Sequence, residues 1–397
     1  MSKYYNNKFF LFLLIFPFFN PMSFKYIPSL VALYDAVQVW KLVAILVIMV
    51  SYCMRKKFSP VVGIVCAYSL LSVIMSLANG VAESKIFTNA LLYIGISMLT
   101  EIAVNVNFKQ FFKVFFAITL FFCAVNVIMC FLYPDGLTMA TLYQNKANPL
   151  YFLAVDNGMI NALLPAVFMA FFESVFLNKR MGSGSKTGRW RTLVVTLLLC
   201  WISLSIVRSA TGMIVYLAVV TIMLLSTFKV KWRIPYRILI GFLAVFMLLV
   251  VIMGTGFDFV TVIAEWFGRE STFTGRTLLW AKAIEMILNR PFMGYGYTEG
   301  NIKIWGGSYS THNLFLEMAL QGGLLLLGVF IVLVAYALHR NRKADIPYAN
   351  TISMAIFSYL MVGLMEITLS PFFFMFLVLA CYPDLRTDVP MKKLVIR

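Results

Sequence analysis

Charge is what this sequence has least of. Only 12% of its 397 residues are Asp, Glu, Lys or Arg, against 61% hydrophobic, and the mean hydropathy is +0.88. A soluble globule of this length has nowhere to bury that much apolar surface, so soluble enzymes and disordered chains are excluded together. The six cysteines, Cys53, Cys66, Cys123, Cys130, Cys200 and Cys381, fall in or at the ends of apolar runs without CxxC spacing. They read as small hydrophobes, neither disulfide partners nor metal ligands. Histidine occurs twice, as His312 and His339. Asp-x-Asp, HExxH and GxGxxG are missing, and with them the usual sites for a metal-held nucleotide sugar, a zinc protease and a dinucleotide. "GSGSKTG" at 182–188 is no P-loop, because Ser185 stands where glycine should precede Lys186 and no strand leads into it. Charged residues are also missing from span centres. Glu101, Glu173, Glu317 and Glu366 lie toward span ends, which argues against an ion-coupled transporter with ionisable groups at mid-membrane.

What the chain has in abundance is long apolar runs. Runs of roughly 17–25 residues suit helices that satisfy their own backbone in lipid, not the alternating ten-residue strands of a barrel. The fold expected is an all-α polytopic membrane protein, one integral-membrane domain over 1–397. Twelve spans are placed at 9–24, 36–54, 60–78, 86–104, 114–133, 158–177, 192–207, 211–228, 238–254, 313–338, 347–366 and 368–382. "FFLFLLIFPFFNPMSF" resembles a signal sequence without a small-residue cleavage site, and is read as an uncleaved first helix. The basic clusters at 55–57, 109–113, 179–191, 229–237 and 340–343 then fall on one side. Cytoplasmic loops collect Lys and Arg, so that side, with both termini, is assigned to the cytoplasm. The net charge of +17 is thus a topology signal, with anionic inner-leaflet lipid as its natural partner and no indication of nucleic acid.

Between spans nine and ten, residues 255–312 run without a spanning segment, too long for a simple connector. They carry Trp266, Trp280 and Trp305, a helical pattern over Thr277–Asn289 stopped by Pro291, and glycines at 294 and 296. A folded extracytoplasmic cap is expected. The outer arginines, Arg208, Arg269, Arg276 and Arg290, lie in or just before it. Arginine grips phosphate with a planar fork of donors and stays charged. Arg276 opens the expected helix, where a cation opposes the dipole unless an anion shares the spot. Snorkelling to lipid headgroups is the competing reading for Arg208, Arg269 and Arg290. His312 precedes span ten, where a helix N-terminus keeps imidazole neutral and able to accept a proton. Asn313 and Glu317, one turn apart, are expected to line the same pocket, and His339 is taken as a solvated boundary residue.

Thr274-Gly-Arg276 with Trp280, Pro291 and Gly294-Tyr-Gly296, followed by His312-Asn313 and Gly322-Gly323, resembles the core of the O-antigen ligase and Wzy-type polysaccharide polymerase superfamily. The motif covers about fifty residues. Beyond it the likeness is one of architecture, and "SIVRSATG" around Arg208 matches loosely. The resemblance implies an inverting, metal-independent glycosyltransferase of the GT-C kind, without cofactor, in a bacterial cytoplasmic membrane. Its donor would be an undecaprenyl-pyrophosphate-linked glycan, and its partners a glycan acceptor, membrane lipid, and a flippase and chain-length regulator of the same pathway. By the same resemblance Arg208 and Arg276 bind the donor pyrophosphate and His312 activates the acceptor hydroxyl. Arg269, Arg290, Trp280, Asn313 and Glu317 complete the expected substrate-binding set. The absence of an appended domain favours a polymerase of lipid-linked repeat units over a ligase. A flippase or scaffold for the same lipids is the non-enzymatic rival, and would show two similar halves and polarity along many helices.

Overall fold

A computed structural model describes residues 2–143, 146–177, 186–228, 232–252, 273–297, 300–304, 307–367, 369–383 and 385. Its helices are α1 Lys8–Ile15, α2 Val31–Met54, α3 Pro60–Ala78, α4 Ser84–Val106, α5 Phe108–Leu132 and α6 Gly158–Phe171. The series continues with α7 Lys186–Val207, α8 Ala210–Phe228, α9 Tyr236–Phe246, α10 Phe273–Asn289, α11 Leu314–Asn341, α12 Ile346–Gly363 and α13 Pro371–Ala380. The starts of several are written in local chemistry: Ser59 caps α3 with Pro60 behind it, and Asn107 caps α5 through Gln110 N at 3.0 Å.

Among the described residues, eight helices are long and apolar enough to cross a membrane. The expectation of twelve spans is met by helix in every place but not by twelve full crossings. The expected first helix over 9–24 is divided. Pro17 and Pro21 stop α1, and the chain continues as single turns at Phe16–Phe18 and Met22–Tyr26. α13 is a ten-residue helix, shorter than a bilayer's hydrocarbon core, and Phe372 to Ala380 are all buried. A helix apolar on every side belongs inside protein. Phe373 packs on Phe330 and Tyr359, and Phe372 on Phe19 and Phe115, making α13 the post around which α5, α11 and α12 stand. The expectation of charge-free span centres also needs correction: α2 begins at Val31, earlier than the hydrophobic run, so Lys41 lies well inside it, with Nζ donating to Gln38 Oε1 at 2.9 Å.

Two small hairpins join the helices at one end of the bundle. β1 Thr138–Tyr143 pairs with β2 Lys146–Leu150, and β3 Ile302–Ile304 with β4 Gly307–Tyr309, both antiparallel. The second belongs to the cap. There α10 buries Leu279, Trp280, Ala283 and Ile287 with Ile302 of β3 against Leu316, Ala319 and Leu320 of α11. Residues 255–272, 298–299 and 305–306 of the expected cap, and 179–185 of the expected basic loop, lie outside the described residues.

Candidate active site at the start of α11

α11 is broken after three turns. Gly323 adopts φ 68° and ψ −175°, which interrupts the helical hydrogen-bond ladder and exposes the carbonyls before it. The segment after α10 inserts there. Tyr295 N donates to Leu320 O at 2.7 Å, Gly296 N to Gln321 O at 2.9 Å, and Leu324 N to Pro291 O at 2.6 Å. A Cβ on Gly294 would collide with the Leu320 carbonyl, and one on Gly323 with the backbone of Phe292. The motif glycines therefore act as a backbone-to-backbone clasp that fixes the far end of α10 against α11.

Three residues before α11, the chain is held still. Asn313 caps the helix, its Oδ1 accepting from Phe315 N and Leu316 N at 3.1 Å each, while its Nδ2 donates to Leu364 O at 3.0 Å. Thr311 is gripped from both sides. Its carbonyl accepts from Trp280 Nε1 at 2.9 Å, and its N–H donates to Glu317 Oε2 at 3.0 Å. Its hydroxyl lies 2.8 Å from the same carboxylate oxygen and 2.7 Å from Asn313 O. Gln321 Nε2 donates to the other Glu317 oxygen at 3.1 Å. Between these fixed neighbours His312 has φ 50°. For a side chain larger than glycine, that left-handed conformation costs on the order of 1–2 kcal/mol, and it persists only because the surroundings impose it.

His312 is half-buried and lies within electrostatic reach of Arg276. Burial first, and the Arg276 guanidinium second, hold its pKa down to about 4, against an ordinary value of 6.5. The neutral imidazole expected from the helix N-terminus is therefore present, but for these two causes. Arg276, in the first turn of α10, donates from Nη1 to Met365 O at 3.3 Å and lies 3.4 Å from Met365 Sδ. Trp280, one turn further along α10, reaches the same Thr311–His312 segment. One helix thus brings a cation and a brace to one histidine, and the arrangement suits a neutral base beside an anion-binding cation.

The eight sequence-derived candidates divide accordingly. Arg276 and His312 come together. The polar atoms of Trp280, Asn313 and Glu317, expected to meet substrate, are instead engaged by the protein around His312, and all three residues are buried. Arg208 occupies the turn between α7 and α8 with φ 55°, another left-handed position held from outside. Ser209 Oγ accepts from Gly212 N at 3.2 Å and donates to Asn157 Oδ1 at 3.3 Å, tying that turn to the start of α6. Near it, burial raises the Tyr151 phenol, with Cys130, Asp135 and Asp156 acting in the same sense and Arg208 opposing them. Arg290 is at the other end of α10, about 20 Å from Arg276 by helical rise. Arg269 lies outside the described residues.

Sequence reasoning missed Thr311 and Met365, whose roles arise only from long-range contacts, and Ser310. The Ser310 hydroxyl is buried without a hydrogen-bond partner among the described residues, two positions before His312. Among the described residues, no group of three or more His, Cys, Asp or Glu side chains could hold a metal ion.

Residues 193–331 match the model of a family described as O-antigen ligase. The matched stretch runs from α7 past the α11 break and includes Arg208, Arg276, Arg290 and His312. No curated protein matches the chain. Apart from Leu364 and Met365, the residues of the site thus lie inside a segment that supports the O-antigen ligase and Wzy-type superfamily, whose members are glycosyltransferase-like ligases and polymerases.

Proposed function

We propose that the protein polymerises lipid-linked oligosaccharide repeat units at the outer leaflet, by inverting, metal-independent glycosyl transfer from an undecaprenyl-pyrophosphate donor. The observation that carries this reading is the pairing of Arg276 with a neutral, immobilised His312. The acceptor hydroxyl oxygen attacks the anomeric carbon, the bond from that carbon to the phosphate oxygen breaks, and the pyrophosphate leaves with the electron pair. His312 takes the hydroxyl proton. Arg276, with Arg208, stabilises charge on the departing pyrophosphate, where fixed cations in a water-poor site contribute most. Trp280, Thr311, Asn313 and Glu317 position the histidine, and because they are already ordered no reorganisation is needed as the reaction proceeds.

The description of the matched family favours a second reading, transfer of a finished glycan to a terminal acceptor. Purified protein incubated with one lipid-linked repeat unit separates the two. A ladder of oligomers supports the polymerase. A single addition to a different acceptor with no ladder supports the ligase, and lipid translocation without new glycosidic bonds would remove both.

A further inference from the structure

α10 sets its two arginines over different helices: Arg276 donates to Met365, just beyond α12, and Arg290 to Asn79, just beyond α3, with Nη1 3.3 Å from Asn79 Oδ1. Arg208 stands apart from both. It occupies the turn between α7 and α8 and is exposed. An exposed guanidinium at a membrane edge meets phospholipid phosphates in vast excess over any lipid-linked glycan, and its planar fork fits the phosphate oxygens of both. A cation alone does not select the donor.

The neighbouring turn supplies an acid. Asp156 lies just before α6, and the residues that follow Asp156 and Arg208 are joined to each other, Ser209 Oγ donating to Asn157 Oδ1 at 3.3 Å. Both turns are pinned. Met159 N donates to Asp156 O at 3.1 Å, Gly212 N to Ser209 Oγ at 3.2 Å and Met213 N to Ser209 O at 2.8 Å. Asp156 has φ 26° and Arg208 φ 55°, left-handed conformations that persist only where the surroundings impose them. Asn157 and Ser209 are buried, whereas Asp156 is half-buried and Arg208 exposed, so the two charged residues stand at the surface on a fixed hydrogen-bonded base. They also share a neighbour. The Tyr151 phenol, raised chiefly by burial, is lowered by Arg208 and raised by Asp156, which places opposite charges within reach of one hydroxyl. That hydroxyl is itself fixed, donating to Pro134 O at 3.0 Å.

A fixed carboxylate changes which anions gain by approaching the guanidinium. The single phosphodiester of a phospholipid replaces one negative charge by another and gains little, while a pyrophosphate brings more charge and more acceptor oxygens and displaces the carboxylate. Selectivity of this sort comes from a group that disfavours the wrong ligand. We propose that Asp156 is the counter-ion of Arg208 and sets its selectivity, keeping phospholipid phosphates off the guanidinium and yielding to the donor pyrophosphate. Asp156 acts through Arg208 and touches no reacting atom. The inference rests on the reading of Arg208 as a ligand of the donor pyrophosphate, and it holds for polymerase and ligase alike.

The test measures the Kd of a polyprenyl pyrophosphate for the full-length protein in nanodiscs of phosphatidylcholine, with and without added phosphatidylglycerol. Asp156→Asn removes the charge and keeps a residue that tolerates a left-handed backbone. Phosphatidylglycerol repels an anionic ligand from the surface in every variant, so the readout is the excess over wild type. Phosphatidylglycerol is expected to weaken binding about tenfold more in Asp156→Asn than in wild type, and that excess is expected to vanish when Arg208→Ala is added. Equal responses of wild type and Asp156→Asn would overturn the proposal, as would an excess that survives without Arg208. A carboxylate that served only the dipole of α6 would give the first of these results, with a lowered unfolding temperature and unaltered lipid selectivity. The donor reading fails by a different result. No binding to wild type, or binding in phosphatidylcholine that Arg208→Ala leaves unchanged, removes Arg208 from the donor site and takes this inference with it.

Discussion

His312 is set apart from an ordinary interfacial histidine by its held backbone and its cationic neighbour. If it is the general base, His312→Ala should lower kcat by roughly 10²–10⁴-fold, because proton transfer belongs to the transition state, while donor binding stays nearly intact. Full turnover at matched protein levels would leave it a structural residue. The depressed pKa sets the pH dependence. The base is neutral above about 4 and becomes charged below it, so kcat/KM should fall in acid with a midpoint well under the ordinary 6.5. Bound pyrophosphate beside Arg276 reverses the local field, so the midpoint in kcat should be higher than that in kcat/KM. Stability has the same sign. The unfolded chain binds a proton near 6.5 that the folded chain resists until about 4, so this residue's contribution is present above 6.5 and lost as the pH falls through that window.

At the level of elements, α10 depends on its charge geometry at one end and on the glycine clasp at the other. Arg276→Lys keeps the charge and loses the planar fork, so kcat/KM should drop strongly. Lys282→Ala, where Lys282 pairs with Glu285 at 2.6 Å, should have little effect. Equal tolerance of the two would return Arg276 to the snorkelling class. Gly323→Ala forces a side chain into φ 68° and into the Phe292 backbone, and should destabilise the fold by at least about 1–3 kcal/mol in thermal or denaturant unfolding. Gly241→Ala in α9, where an added methyl meets open space, should be neutral or mildly stabilising. Comparable behaviour of the two would dismiss the clasp.

For the whole molecule, the orientation expected from the basic clusters, with the Arg276–His312 site on the outer side, is open to direct test. Single-cysteine variants at Ser183 and Ser308, made in a chain without its native cysteines, should label oppositely in intact cells with an impermeant thiol reagent. Ser308 is expected to react and Ser183 to be protected. The reverse pattern would put the site in the cytoplasm and remove the outer-leaflet donor from consideration.

Much of this architecture is dictated by the one-dimensional pattern, because lipid makes it nearly compulsory. An apolar run must form a helix to satisfy its backbone, and Lys and Arg mark the side that is hard to translocate. The helical places and the cap helix ending before Pro291 were legible for that reason, while the candidacy of Arg276 and His312 came from their places at helix starts and from the motif around them. Three things required the tertiary structure. That α13 is an internal post depends on what surrounds it, since burial and lipid exposure suit the same phenylalanines. That Trp280, Asn313 and Glu317 grip the histidine's segment depends on hydrogen bonds between residues brought together from α10, α11 and α12. And the placing of Arg276 and Arg290 over different helices follows from the direction in which α10 crosses the bundle, a relation between elements that no local run of residues encodes.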